Sequence, residues 1–146
     1  MSKVMIGENI MDFRFYTQLH QDEKMIRETV FMQEQGFENE FDERDHHCLH
    51  LVCYNQDQPI ACARMFEENG RMILGRIAVL KDYRHLHVGS QLMRTLEKKA
   101  KEEGYTQTQL SAQVRAKQFY QSNGYYECGD VYLDEECPHI TMVKDL

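Results

Sequence analysis

Residues 77–104 read IAVLKDYRHLHVGSQLMRTLEKKAKEEG, and the succession of patterns in this stretch organises the rest of the chain. The apolar run at 73–80 has the length and β-branched content of a buried strand. Residues 81–87 are polar and punctuated. From Val88 the period changes, because Val88, Leu92, Leu96 and Ala100 recur at i, i+4 as on one face of a helix, and Gly104 stands where a helix C-cap belongs. Strand, basic turn and helix thus follow one another, with Gly89 and Ser90 at the helix start. The first amides of a helix lack internal partners and carry the positive end of its dipole. A glycine there lets a phosphate approach the backbone, and Arg84 adds a guanidinium able to grip phosphate oxygens in bidentate fashion. The segment reads either as an anion-binding helix N-terminus for a phosphorylated cofactor or as an ordinary βα junction with a surface arginine. Neither G-x-x-x-x-G-K-[ST] nor G-x-G-x-x-G occurs.

Outward from this stretch, residues 11–16 alternate as a first strand, and 22–34 form a helix candidate with Met25, Ile26, Thr29, Val30 and Gln33 on one side. Gly36 ends it. Residues 38–45 make an acidic loop of five carboxylates and one arginine, expected to be solvated, with steering of ammonium substrates as its functional alternative. Strands are expected at 48–54 and 59–66 around a turn at 55–58, and at 71–80 after the hairpin signal Asn69-Gly70. A strand at 108–114, a short helix ending at Asn123, and a last pair at 126–133 and 140–143 complete the reading. Hairpins first and a βαβ unit later imply a mixed α/β sheet.

The 146 residues are expected to form one domain, 1–146, with a core. A net charge of −7 speaks against nucleic acid as a partner and is compatible with a cationic substrate. No apolar run approaches the roughly 18 residues of a membrane helix, and no signal-peptide pattern opens the chain, so a cytoplasmic protein without a membrane partner is expected. Five cysteines without a C-x-x-C pair argue against a disulfide framework, and Cys48, Cys53 and Cys62 are expected as reduced core residues. Asp45-His46-His47-Cys48 spells the DHHC signature of membrane palmitoyltransferases, but the membrane helices and cysteine-rich zinc region of those enzymes are absent from the sequence. His46, His47, Cys48 and His50 on a strand point to alternate faces and do not converge, so no metal is expected.

A second motif runs from Gln113 through Ala116, Phe119 and Tyr120 to Gly124 and Tyr125. Ala116, Phe119 and Tyr120 fall on neighbouring positions of a short helix that Gly124 ends; taken alone, this is a helix packing on a sheet. In combination the two motifs resemble the GNAT acetyltransferase superfamily. Arg84-His85-Leu86-His87-Val88-Gly89 after Ile77-Ala78-Val79 resembles its acetyl-CoA pyrophosphate loop, with His87 in place of the first glycine. Residues 113–125 resemble its N-x-x-A-x-x-[FL]-Y-x-x-x-G-[FY] pattern, with Gln113 for asparagine. FMQEQG at 31–36, Leu49-His50-Leu51 and Pro138-His139-Ile140-Thr141-Met142 are similar to a small ElaA-like subgroup. The resemblance implies a mixed α/β sheet of about six or seven strands, splayed at the cofactor and flanked by about four helices. It implies acetyl-CoA as cofactor and CoA as product. Pantetheine would pair with the backbone of Ile77, Ala78 and Val79. The pyrophosphate would lie on the amides of His85, Leu86, His87, Val88, Gly89 and Ser90 beside Arg84. Gln113, Ala116, Phe119 and Tyr120 would line the other wall.

Acetyl transfer to an amine needs a neutral nucleophile, a donor for the developing oxyanion and a proton for the departing sulfur. By the same resemblance Tyr120 is the candidate general acid and a backbone amide near Ala78 or Val79 the oxyanion donor. Many superfamily members place a glutamate near the position of Ile73, but no carboxylate lies between Arg71 and Lys81. Glu34, His50 and His139 remain as bases or substrate contacts, with structural roles or a water chain to bulk as alternatives. Arg76, charged within an apolar strand, reads equally as an anchor for a substrate carboxylate or as a structural ion pair. The expected partner is a small-molecule amine, amino acid or similar, and a homodimer is a compatible assembly. Acetylation of a protein or peptide amine, a catalytically weak CoA-binding regulatory module, and an unrelated α/β domain are the rivals.

Overall fold

The computed structural model of the chain describes residues 2–7 and 9–146. Its strands are β1 (Ser2–Ile6), β2 (Asn9–Tyr16), β3 (Leu49–Asn55), β4 (Gln58–Glu68), β5 (Arg71–Val79), β6 (Gln107–Gln113), β7 (Tyr126–Asp134) and β8 (Cys137–Asp145). They form one sheet in the order β1-β2-β3-β4-β5-β6-β8-β7. All neighbours pair antiparallel except β5 and β6, which are parallel and are joined across the sheet by helix α2 (Val88–Glu102). Two further helices, α1 (Gln21–Arg27) and α3 (Lys117–Ser122), complete the mixed α/β fold.

Three tight hairpins owe their geometry to paired left-handed residues, Gln56/Asp57, Asn69/Gly70 and Glu135/Glu136, the backbone of turns that match strand twist. Strands β3 and β4 are apolar on both faces because the sheet is covered on both. Leu51 and Cys53 face α2, where Val88, Leu92, Met93, Leu96 and Ala100 supply the packing stripe. Val52, Tyr54 and Cys62 face the other way, against Ile26, Val30 and Phe31. Gly104 closes α2 as expected, with its amide on the Lys101 carbonyl and the Tyr105 amide on that of Ala100.

The count of elements differs from the expectation in two places. The sheet has eight strands, since β1 lies antiparallel beside β2, and β2, the strand expected at 11–16, already begins at Asn9. The helix expected at 22–34 is α-helical only to Arg27 and then runs as a π-helix over Glu28–Glu34, so three α-helices and this wider segment stand among the described residues. The π register packs Val30 and Phe31 into the core while Glu34 reaches Arg84. No helix among the described residues is long and apolar enough to cross a membrane.

Candidate active site

The site exists because β5 and β6 stop pairing. Their ladder holds only Met72 to Thr108, Ile73 to Gln109 and Leu74 to Leu110. One residue later β5 bulges: Cys62 pairs with Ala78 and Arg64 with Gly75, so three steps on β5 oppose two on β4. Arg76 is the extra residue, with φ of 49°, a left-handed conformation that costs an arginine energy and tends to survive at functional positions. Beyond the parting lies a cavity of about 540 Å³, within the ordinary size of a small-ligand site. Arg76, Ile77, Gln113, Ala116, Tyr120 and His139 line it together, from five separate segments of the chain.

In the loop before α2, His85 and His87 both have positive φ (68° and 62°), and His87 precedes the first turn of α2; none of the loop residues 84–90 lines the cavity. The glycine of the related pattern is thus explained by backbone shape, which a histidine here adopts at some cost. Among the described residues, no backbone carbonyl accepts from the amides of residues 85–90. Gly89 has a second duty. A Cβ there would sit 3.0 Å from Cζ of Phe119 and 3.9 Å from Cγ2 of Val79, so the missing side chain lets α3 close onto the start of α2. Arg84 donates its Nε to the Val79 carbonyl at 2.9 Å and its terminal nitrogens to the Glu34 carboxylate at 3.0 and 2.9 Å. Glu34, expected as a base or substrate contact, is thus an ion-pair partner of the loop arginine. Leu86 and His85 point to solvent, whereas Val88 is buried under the loop. Ala78 is buried on the α1 face.

Tyr120 is 9% exposed and packs edge-on against Phe119 and Tyr125. Burial pushes its hydroxyl pKa up, which keeps the phenol protonated. Gln113 donates to the side-chain oxygen of Gln35 at 2.8 Å, so the end of the π-helix touches both walls, Arg84 on one and Gln113 on the other. Gln35 was not singled out in the sequence, although it lies inside the FMQEQG motif.

The acidic loop is not simply solvated, as its composition had suggested. Glu40, Asp42 and Asp45 turn inward onto Arg27, Arg64 and Arg76. Arg27 is fully buried and also holds Glu23 at 2.6 Å. His50, expected as a substrate contact or base, is instead sealed at 0% exposure. Its Nδ1 meets the Glu23 carboxylate at 2.9 Å and its Nε2 the Asp45 carbonyl at 2.9 Å. Both partners can only accept, so both ring nitrogens carry hydrogen and the ring is an imidazolium. Four cations thus face four carboxylates. This closed set pins the loop beneath the cavity and explains how so much charge is tolerated inside. Arg76 donates to Glu40 at 2.8 Å, so its fork is already engaged and the ion-pair reading describes its contacts. Burial pushes the Glu40 carboxyl above its ordinary value against the pull of Arg76 and Arg27. Asp45, Cys48 and His50 approach one another within 4.8 Å, but the Asp45 oxygens accept from Arg27 and Arg64 and the His50 nitrogens are both taken, which leaves a metal ion no free donor set.

This cluster has a pH signature. Burial pulls the His50 pKa down, but the bonds to Cys48 and Glu23 outweigh it and lift the value from 6.5 to about 10. Burial pushes Asp45 up, yet its bonds to Arg27 and the Asp42 backbone hold it at about 2, below its ordinary 3.8. The raised group contributes stability that is complete below pH 6.5 and fades as pH climbs through about 10. The depressed group contributes stability that is complete above pH 3.8 and fades as pH falls through about 2. Urea midpoints measured against pH should therefore decline on both sides of this window, and His50→Gln should flatten the alkaline decline. A wild-type midpoint constant from pH 6.5 to 10 would contradict the imidazolium.

A family model described as an acetyltransferase (GNAT) domain matches residues 16–146. YjcF of Bacillus subtilis (strain 168), described as an uncharacterised N-acetyltransferase, is 37% identical over 123 residues, spanning 82% of this chain and 88% of that one. The crystal structure of Escherichia coli ElaA superposes with a TM-score of 0.80 at 26% identity, covering 92% of this chain and 99% of that one. A crystal structure from Lactobacillus plantarum superposes with a TM-score of 0.87 at 29% identity, covering 93% and 98%.

Proposed function

The chain belongs to the GNAT family of acetyltransferases, in its ElaA-like group, and on that premise we propose that it moves acetyl from acetyl-CoA to the primary amine of a small molecule. One observation carries the reading: β5 and β6 part beyond Leu74 and Leu110, and the cavity that opens there is lined by Ile77, Gln113, Ala116 and Tyr120 together. The residues present fit the cofactor. The edge of β5 beyond Gly75 is free to pair an extended pantetheine by main-chain bonds, and the amides of His85–Ser90 suit a pyrophosphate. Bound acetyl-CoA supplies an activated acetyl as a thioester. Tyr120, kept protonated by burial, hands its proton to the departing sulfur. Arg84 would meet the phosphates only with the guanidinium hydrogens that Val79 and Glu34 leave free, since Glu34 already balances its charge.

The acceptor is a small amine that arrives as a cation. Glu40 and Asp42 are balanced by Arg27, Arg64 and Arg76, but Asp134 and Glu135 line the cavity outside that cluster, and their negative charge attracts ammonium groups and disfavours carboxylates. Because Arg76 already serves Glu40 and Asp42, plain amines and diamines should have lower KM than amino acids. A panel of both kinds, assayed with acetyl-CoA for released thiol, tests this; amino acids preferred over diamines would reverse the assignment.

Cofactor binding has its own readout. At 100 times its Kd a ligand adds about 2.7 kcal/mol to stability, on the order of 5–10 °C in Tm for a domain of this size. CoA should produce that shift, and Gly89→Glu should abolish it by placing bulk against Phe119 and negative charge at the pyrophosphate. An unchanged shift in the variant would remove the α2 start from the cofactor site.

A further inference from the structure

The family's usual carboxylate base has no counterpart at Ile73, yet an amine must lose a proton before it attacks. Several side chains could accept one, and their surroundings separate them. His50 is sealed and doubly hydrogen-bonded. Glu34 is clasped by Arg84. Glu40 and Asp42 are each held by two arginines. His139 differs from all of these. It sits on β8 opposite Gln113, lines the cavity that also holds Tyr120, and is 7% exposed. Its Nδ1 lies 2.8 Å from the Cys137 carbonyl, which can only accept. Nδ1 therefore carries the hydrogen, and Nε2 presents its lone pair with no donor among the described residues. The ring is fixed in place as well: it stacks on Tyr132 at 6.0 Å and 24°, and the Tyr132 hydroxyl is anchored by Ser111 of β6.

We propose that His139 is the general base of this enzyme, with Nε2 taking a proton from the acceptor ammonium inside the cavity. The inference rests on the amine-acetylation reading above. Nε2 removes one of the three ammonium protons and releases it to solvent through the open mouth. The freed nitrogen lone pair bonds to the acetyl carbon, and the carbon–sulfur bond breaks with its electrons on sulfur. As the amide forms, nitrogen sheds a second proton, replacing the one that Tyr120 gives to sulfur. Tyr132 on β7 stacks on the imidazole, and Tyr120 on α3 and Arg76 on β5 line the same cavity. Glu40, Asp42, Asp134 and Glu135 face the same cavity, the first two paired with Arg27, Arg64 and Arg76.

His139→Gln should keep the CoA-induced thermal shift and lose about 10²-fold in kcat/KM at neutral pH, the usual scale for a missing general base. His139→Gly should be rescued by added imidazoles, with rates rising with the basicity of the added base. In ¹⁵N-labelled wild type, the His139 nitrogen that lacks hydrogen in the neutral ring should be Nε2. Wild-type activity in His139→Gln from pH 6 to 9, a loss equal at every pH and indifferent to the rescuing base, or a lone pair on Nδ1 would each overturn the assignment. A wild type that acetylates no amine would sink the transfer reading and His139 with it, an outcome plainly distinct from an active His139→Gln.

Discussion

Replacing Arg27 by Met is expected to cost the fold about 3–5 kcal/mol, the scale for removing one partner from a buried ion pair. The side chain is fully buried and bonds to three carboxylates, Glu23, Glu40 and Asp45. Methionine fills much of the same volume, so packing loss is small and the stranded anions carry the effect. Against a total stability of about 5–15 kcal/mol, that is enough to leave the variant marginal at room temperature. The contrast is Arg44→Ala. Arg44 pairs with Glu68 on the surface, where such bridges are worth about 0–1 kcal/mol. Urea denaturation of both variants decides the matter; an Arg27→Met midpoint within error of Arg44→Ala would mean that the cluster adds nothing to the fold.

The second large effect is kinetic. Tyr120→Phe keeps the ring that packs on Phe119 and Tyr125 and removes only the hydroxyl. Its kcat should fall roughly 10²-fold, with CoA affinity and Tm close to wild type. Stopped-assay rates beside calorimetric Kd values separate these quantities. Full activity in the variant would make Tyr120 a packing residue and leave the sulfur to depart unassisted.

How legible each part was follows from how local its cause is. Helix α2 was readable because its stripe and closing glycine lie within one segment, and the buried set Val88, Leu92, Leu96 and Ala100 appears as expected. Asn69-Gly70 was readable because its residues favour positive φ, whereas Glu135-Glu136 adopts the same turn without any residue preference to announce it. The change to π-helix at Glu28 leaves no mark in a periodicity argument, since its consequence is packing against β5 and Arg84. The cofactor loop and Tyr120 came from motif; Ile77, Gln113, Ala116 and Tyr120 line one cavity, whereas the loop residues 84–90 lie outside its lining. The charge cluster was hidden because acids in a loop look solvated. Its signal was on the other side, in Arg64 and Arg76, two arginines each set in an otherwise apolar run; Arg27, between Ile26 and Glu28, gave no such sign. A buried arginine requires carboxylates, and the nearest rich supply was the loop at 38–45. His50 and His139 sat in similar motifs, and only three-dimensional surroundings distinguish a sealed imidazolium from a ring with a free nitrogen.

The most direct test is the reaction itself. Purified protein, acetyl-CoA and a panel of small mono- and diamines should give free CoA thiol and acetylated amine in equal amounts, at rates saturable in both substrates. CoA binding by calorimetry with no thiol released from any amine, or acetylation confined to lysine-containing proteins, would contradict the account.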